Sequence, residues 1–201
     1  MSWSEGEIAA AIARQTLARR CVVLVDRCNW TGHECDLLGV TADLRIIDVE
    51  IKVSRADLKA DADKNKWWRR LSREWGKPMP APIAREHPPK VWKHYYALPA
   101  SIWKPELVDC LPSRASGVLL VERTQPKWGV PHVSVRCERR AKPAADAYRL
   151  TAAQAVDIAR LANLRMWDAY GRRDGLQDEV RHWRDAARAA TGDLMWRVVQ
   201  A

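Results

Sequence analysis

The chain has 201 residues, 47% hydrophobic and 29% charged, with a net charge of +9, a length that suits one main α/β core with an appendage. No stretch approaches the eighteen or so apolar residues of a membrane span, and neither end carries a signal peptide's apolar segment, so a cytoplasmic protein is expected. The five cysteines include no C-x-x-C pair, which argues against a disulfide framework or a zinc ribbon and for reduced, mostly buried thiols.

In chain order, Ser4 with Glu7 fits a capping box, and Ile8, Ala11, Ile12 and Ala18 continue at helical spacing, predicting a helix over 5–19. "CVVLVDRC" (21–28), "CDLLGVT" (35–41) and "LRIIDVEIKV" (44–53) read as strands, the last two joined by a tight turn at Ala42 and Asp43. Ser54 with Asp57 is a second cap, opening a helix expected over 55–74 with Leu58, Ala62 and Leu71 toward the sheet. Residues 76–90 hold five of the eleven prolines and predict an extended loop. "VWKHYYALP" (strand), "PELVDCL" (short helix), "GVLLVER" (strand) and "VSVRCERR" (edge strand) follow, and a helical region begins at Thr151, interrupted at Gly171 and Gly175.

The expected order, α-β-β-β-α-β-α-β-β-α, is a mixed sheet flanked by helices. Its division is a domain over 1–145 and a helical extension over 146–201. The last thirty residues, with six Arg against five Asp or Glu, suit packing or self-association rather than a nucleic-acid arm.

Charge is uneven. Residues 64–94 carry nine Lys or Arg against Glu74 and Glu86, a local balance of +7, interleaved with Trp67, Trp68, Trp75 and Trp92. Cations among flat aromatic rings suit phosphates and unstacked bases, while the plainer reading is a solvated basic face with tryptophans in the core.

The third strand carries charge in an unusual place. Alternation puts Ile47, Val49, Ile51 and Val53 on one face and Ile46, Asp48, Glu50 and Lys52 on the other. A hairpin centred near residue 43 sets Asp36 across from Glu50. Two carboxylates facing each other destabilise a sheet unless something positive lies between them. A divalent cation fits that need: carboxylates, a backbone carbonyl and waters suit Mg²⁺. Lys52, on the same face, can orient or help deprotonate an attacking water, and the chemistry suggested is metal-assisted phosphodiester hydrolysis.

Asp36 followed after thirteen residues by Glu50-Ile51-Lys52, with a helix straight after, resembles the PD-(D/E)xK nuclease superfamily. "CDLLGV", "VEIKVSRADLKADADKNKW" and "YYALP…GVLLVE" make it most similar to MmcB-like DNA repair proteins over residues 5–140. Cys35 stands where the superfamily name has Pro, a loose position. The resemblance implies a restriction endonuclease-like fold and a Mg²⁺- or Mn²⁺-dependent deoxyribonuclease of bacterial or phage origin acting in repair, recombination or phage DNA processing. It implies Asp36 and Glu50 as metal ligands, Ile51 as a ligand through its carbonyl, Lys52 as the catalytic lysine, and Glu7 as the helix-borne acid, with Glu5 competing for that place. Arg55, Lys59, Lys64, Lys66, Arg69 and Arg70 would reach the DNA backbone or lend a cation to the site. DNA is the expected partner, and a homodimer would let two sites cut two strands. The alternative function is an inactive nucleic-acid-binding or protein-interaction module on the same scaffold. His33 with Cys35 suggests soft-metal ligation, but further ligands are missing at any usual spacing, so zinc is not expected.

Overall fold

The computed structural model describes residues 2–72, 75, 78–124 and 132–199, with side chains except at 190 and 192–199. The chain is mixed α/β, with a six-stranded mixed sheet flanked by helices and a C-terminal helix. Helix α1 (Glu5–Ile12) is capped by Ser4, whose Oγ accepts the Glu7 N–H at 3.2 Å, and it continues into a π-helical turn, Ala13–Leu17. The strands of the sheet are β1 (Cys21–Cys28), β2 (Cys35–Thr41), β3 (Ile46–Ile51), β6 (Val91–Pro99), β7 (Gly117–Thr124) and β8 (His132–Arg139). Their order is β1-β2-β3-β6-β7-β8, parallel where β6 meets β3 and β7 and antiparallel elsewhere. A separate ribbon pairs β4 (Trp68–Arg69) with β5 (Ile83–Ala84) inside the proline-rich stretch. The expected helix in "PELVDCL" is a 3₁₀ helix, Pro105–Cys110.

The β2–β3 hairpin has the expected register. Leu37 pairs with Val49 and Leu38 with Asp48, and the Thr41 N–H donates to the Arg45 carbonyl. The loop closes with Leu44 at φ 61°, the left-handed residue that a three-residue hairpin loop needs.

Ile8, Ile12 and Leu17 pack on one face of the sheet against Leu37, Ile47, Val49 and Ile51. The other face carries two clusters. Leu38, Val40 and Ile46 lie with Leu150 and Ile158, and Tyr96, Leu98, Val118 and Leu120 lie with Leu58, Trp67, Leu107 and Leu111.

The helix expected over 55–74 is corrected. Helix α2 (Arg55–Ala60) is short, and two 3₁₀ turns follow (Asp61–Asp63 and Asn65–Trp67) before β4. At about 100° per residue a continuous helix would set Asp61 and Lys66 some 140° apart, yet both side chains are buried at one place. The break lets Asp61, Lys66 and Trp67 all turn inward, and it leaves Leu71 exposed rather than facing the sheet.

Helix α3 (Ala152–Val199) runs through Gly171 and Gly175 without interruption, each a tolerable cost of about 1 kcal/mol. The first compact unit extends to residue 162. Leu150 donates its N–H to the Leu44 carbonyl at 2.8 Å, and Ile158 is fully buried. Residues 163–199 belong to a second unit, helical throughout, with Leu164, Trp167, Leu176, Val180 and Trp183 exposed. No helix among the described residues is long and apolar enough to cross a membrane.

Candidate functional site

The polar face of β3 is buried: Asp48 is 0% exposed, Glu50 2% and Lys52 3%. Buried charges on three alternate residues persist only with partners. The partners come from two directions.

Around Glu50 they come from the segment after α2. Lys66 Nζ pairs with Glu50 Oε1, while Lys52 Nζ and Lys64 Nζ lie 3.3 and 3.5 Å from Oε2. Asp61, fully buried, receives the same three ammonium groups: Lys64 at 2.8 Å, Lys52 at 3.2 Å and Lys66 at 3.4 Å. Asp57 Oδ1 lies 3.6 Å from Lys52, so three carboxylates face three ammoniums. Tyr96 Oη (2.6 Å) and Trp67 Nε1 (3.0 Å) both donate to Asp61 Oδ2. Burial works against the charged form of Asp61, but Lys66, the bonds from Lys64 and Tyr96, and Lys52 together hold its pKa well below the carboxylate range. Lys64 is held above its ordinary value, burial notwithstanding, by Asp61 and Glu50.

Asp36 sits one step beyond the Leu37–Val49 pair, so the register sets it opposite Glu50. Its Oδ2 accepts the Ile51 N–H at 2.7 Å. With Glu5, Asp26, Arg27 and Ile51 it lines a cavity of about 170 Å³ beside the first turn of α1. Burial first, and then the charges of Glu50 and Glu5, push the Asp36 pKa up to about 6 against the Ile51 hydrogen bond and the Lys52 charge. Three acidic side chains, Glu5, Asp26 and Asp36, thus share the cavity wall with one cation, Arg27.

Glu7 stands elsewhere. Its carboxylate is paired with Arg123, at 3.0 Å from Nε, which holds its pKa below the ordinary value. Glu5, at the start of the same helix, lines the Asp36 cavity instead.

Of the six cations expected at DNA, Lys66 is buried and Lys64 half-exposed, both on the Glu50–Asp61 cluster. Arg55, Lys59, Arg69 and Arg70 are exposed. Arg55 Nε donates to the Ile102 carbonyl at 2.6 Å, and Arg70 Nη2 to Asn65 Oδ1 at 3.3 Å. Arg73 and Lys77 lie outside the described residues. Trp67 is a core residue, while Trp68 and Trp75 are exposed.

Sequence reasoning assigned no role to Asp61, Asp26 or Tyr96. Asp61 had a signal, since it belongs to the D-x-x-K-x-K-W stretch that also supplies Lys64 and Lys66. Asp26 and Tyr96 had none, because each reaches its position only through strand pairing.

At the other end of the polar face, His33 Nε2 lies 3.0 Å from Asp48 Oδ2. His94, fully buried, bonds Ser116 Oγ through Nδ1 at 3.0 Å, and burial lowers its pKa to about 4. Its ring meets Trp67 and Tyr96 edge-on.

No family model and no curated protein matches this chain. Among solved structures it is similar to a protein of unknown function from Silicibacter pomeroyi, with 19% identity and a TM-score of 0.48, covering 89% of this chain and 94% of that one.

Proposed function

We propose that the protein is a metal-dependent DNA nuclease of the PD-(D/E)xK, restriction endonuclease-like type, most like the MmcB-like DNA repair proteins. The observation that carries this reading is the Asp36 cavity. A half-buried carboxylate opposite Glu50, with Glu5 and Asp26 around it against the one cation Arg27 and a pKa pushed up to about 6, sits in an acidic excess that a divalent cation would offset.

The donor set fits Mg²⁺ or Mn²⁺, being oxygen throughout: Asp36, Glu50, the Ile51 carbonyl and, in the place first given to Glu7, Glu5. When bound, the ion would supply Lewis-acid charge to a phosphate oxygen. Lys52 holds its ammonium against Glu50 and Asp61, where it can orient the water whose oxygen bonds to phosphorus as the bond to a sugar oxygen breaks. Asp61, Tyr96 and Trp67 fix Lys52 and Lys66 in place. The exposed Arg55, Lys59, Arg69 and Arg70 are the groups that would hold the DNA backbone.

One observation favours a second reading, an inactive nucleic-acid-binding or protein-interaction module on the same scaffold. Both oxygens of Glu50 already carry ammonium partners, which compete with any metal ion there.

A panel of end-labelled duplex, single-stranded and branched DNAs, incubated with Mg²⁺ or Mn²⁺, separates the two. The nuclease reading expects metal-dependent cleavage that disappears in Glu50→Gln and Lys52→Ala. Binding without cleavage across the panel supports the module, and full activity in either variant removes the site assignment.

A further inference from the structure

We propose that His33, Cys35 and Asp48, with His94 beside them, form a buried structural zinc site separate from the Asp36 cavity. Sequence spacing argued against zinc because no third or fourth ligand follows His33 and Cys35 at a usual interval. The sheet supplies what spacing could not. Asp48 comes from β3, and His94 is its direct neighbour in register on β6.

Three observations carry the assignment. First, the ligand atoms converge: His33 Nε2, Cys35 Sγ and one carboxylate oxygen of Asp48 all lie within 4.8 Å of one another. His33 Nε2 is 3.0 Å from Asp48 Oδ2 and 3.7 Å from Cys35 Sγ. With zinc–nitrogen and zinc–oxygen bonds of about 2.0–2.2 Å and a zinc–sulfur bond of about 2.3 Å, a tetrahedron has edges of about 3.3–3.6 Å, so the observed spacings bracket it.

Second, a further imidazole stands next to these three, outside the 4.8 Å within which their ligand atoms converge. His94 is 1% exposed, and its Nε2 stands 4.0 Å from Asp48 Oδ2 with no hydrogen-bond partner among the described residues. An Nδ1 proton donated to Ser116 Oγ (3.0 Å) leaves Nε2 with its lone pair, the tautomer a metal ligand needs. Asp48 Oδ1 is also buried without a partner. A simple His33–Asp48 hydrogen bond leaves both atoms unsatisfied, at the expense usual for buried polar groups. A bound ion neutralises Asp48, and a small shift of the His94 ring toward it would satisfy Nε2 as a fourth ligand.

Third, the chemistry selects the ion. One thiolate, one imidazole and one carboxylate, with a second imidazole beside them, make a borderline-soft set that suits zinc, whereas Mg²⁺ takes oxygen. A thiolate and a carboxylate also balance a divalent charge, so the buried cluster would be neutral overall. Cys35 and Asp48 are fully buried and His33 is 12% exposed at its side chain, which leaves little room for substrate. The role is to tie the loop before β2 to β3 and β6, behind the Glu50 cluster.

The test is the metal content of untagged protein purified without chelator, by inductively coupled plasma mass spectrometry, together with the absorption spectrum of protein expressed with cobalt in place of zinc. The expected results are about one zinc per chain and, in the cobalt form, a thiolate-to-cobalt charge-transfer band with intense tetrahedral ligand-field bands. Cys35→Ser should lose the charge-transfer band, and Asp36→Asn should keep both metal and band, since it touches only the oxygen site. Three results overturn the proposal: no stoichiometric metal, another metal in zinc's place, or a cobalt spectrum without the thiolate band. If Cys35→Ser does not fold, the wild-type cobalt spectrum alone decides.

Discussion

Asp48 and Glu50 sit two residues apart on the same buried face of β3, and their surroundings are opposite in kind. Glu50 shares Lys52, Lys64 and Lys66 with Asp61, so its charge is met by full opposite charges. Asp48 is met by imidazoles, with no ammonium within ion-pair distance among the described residues. Burial works against the charge of Asp48, yet the His33 bond, the neighbouring His94 ring and the Lys66 charge bring its pKa below the ordinary value. One strand thus hosts a charge-dense end and a ligand-like end. The difference lies in what long-range folding brings to each, the 61–67 segment at one and residues 33, 35 and 94 at the other.

The largest expected effect of breaking this contrast is on stability. Lys66→Met keeps an unbranched side chain one atom shorter but removes an ammonium that is 2% exposed. Leaving a buried charge without its partner costs about 3–5 kcal/mol, and the low end applies because Lys52 and Lys64 remain beside Glu50 and Asp61. Urea unfolding of the two proteins measures it. A decrease below about 1 kcal/mol, the value of an exposed pair, would mean the cluster is far more solvated than its burial indicates.

Next in size is activity. Lys52→Ala is expected to lower metal-dependent DNA cleavage by about a hundredfold or more, with the circular dichroism spectrum unchanged. Cleavage within a few-fold of wild type would make Lys52 a purely structural member of the cluster.

A smaller effect is set by Asp36. Its folded-state pKa is raised, so below about pH 6 the native protein holds a proton that a metal ion must displace. Affinity for Mg²⁺ is therefore expected to weaken as pH falls, by up to about tenfold per unit well below that point. The same shift means that, without metal, Asp36 favours the folded state at low pH and loses that contribution as pH rises through about 6. Calorimetric titration of Mg²⁺ at several pH values reads the affinity directly, and an affinity independent of pH across this range would take Asp36 out of the ligand set.

Much of this arrangement was legible in the sequence, for definite reasons. Strand alternation and a hairpin loop symmetric about residue 43 are local features, so the pairing that brings Asp36 opposite Glu50 could be read directly. The Ser4 and Ser54 caps were equally local. What could not be read depends on pairings distant in sequence. The break after Ala60 follows from the pull of buried Lys52 and Glu50 on Lys66 and Asp61, which overrides the helical tendency of "ADADKNKW". Glu7 was drawn away by Arg123, 116 residues on. The His33–Cys35–Asp48 grouping is invisible to spacing rules because a strand register creates it.

The smallest effect concerns the exposed cations, which the break in the helix separates from the buried ones. Lys64 and Lys66 are held by Glu50 and Asp61, whereas Arg69 and Arg70 project from the ribbon and its edge. Charge reversal at Arg69 and Arg70 should therefore weaken DNA binding while leaving the fold intact. Each phosphate that is no longer neutralised should flatten the slope of log affinity against log salt by about 0.7–0.9, so the pair together predicts a change of about 1.5. Fluorescence anisotropy across a salt series measures this. An unchanged slope would place the DNA-holding face on other residues, with Arg55 and Lys59, on α2 and closer in sequence to Glu50, the next pair to reverse.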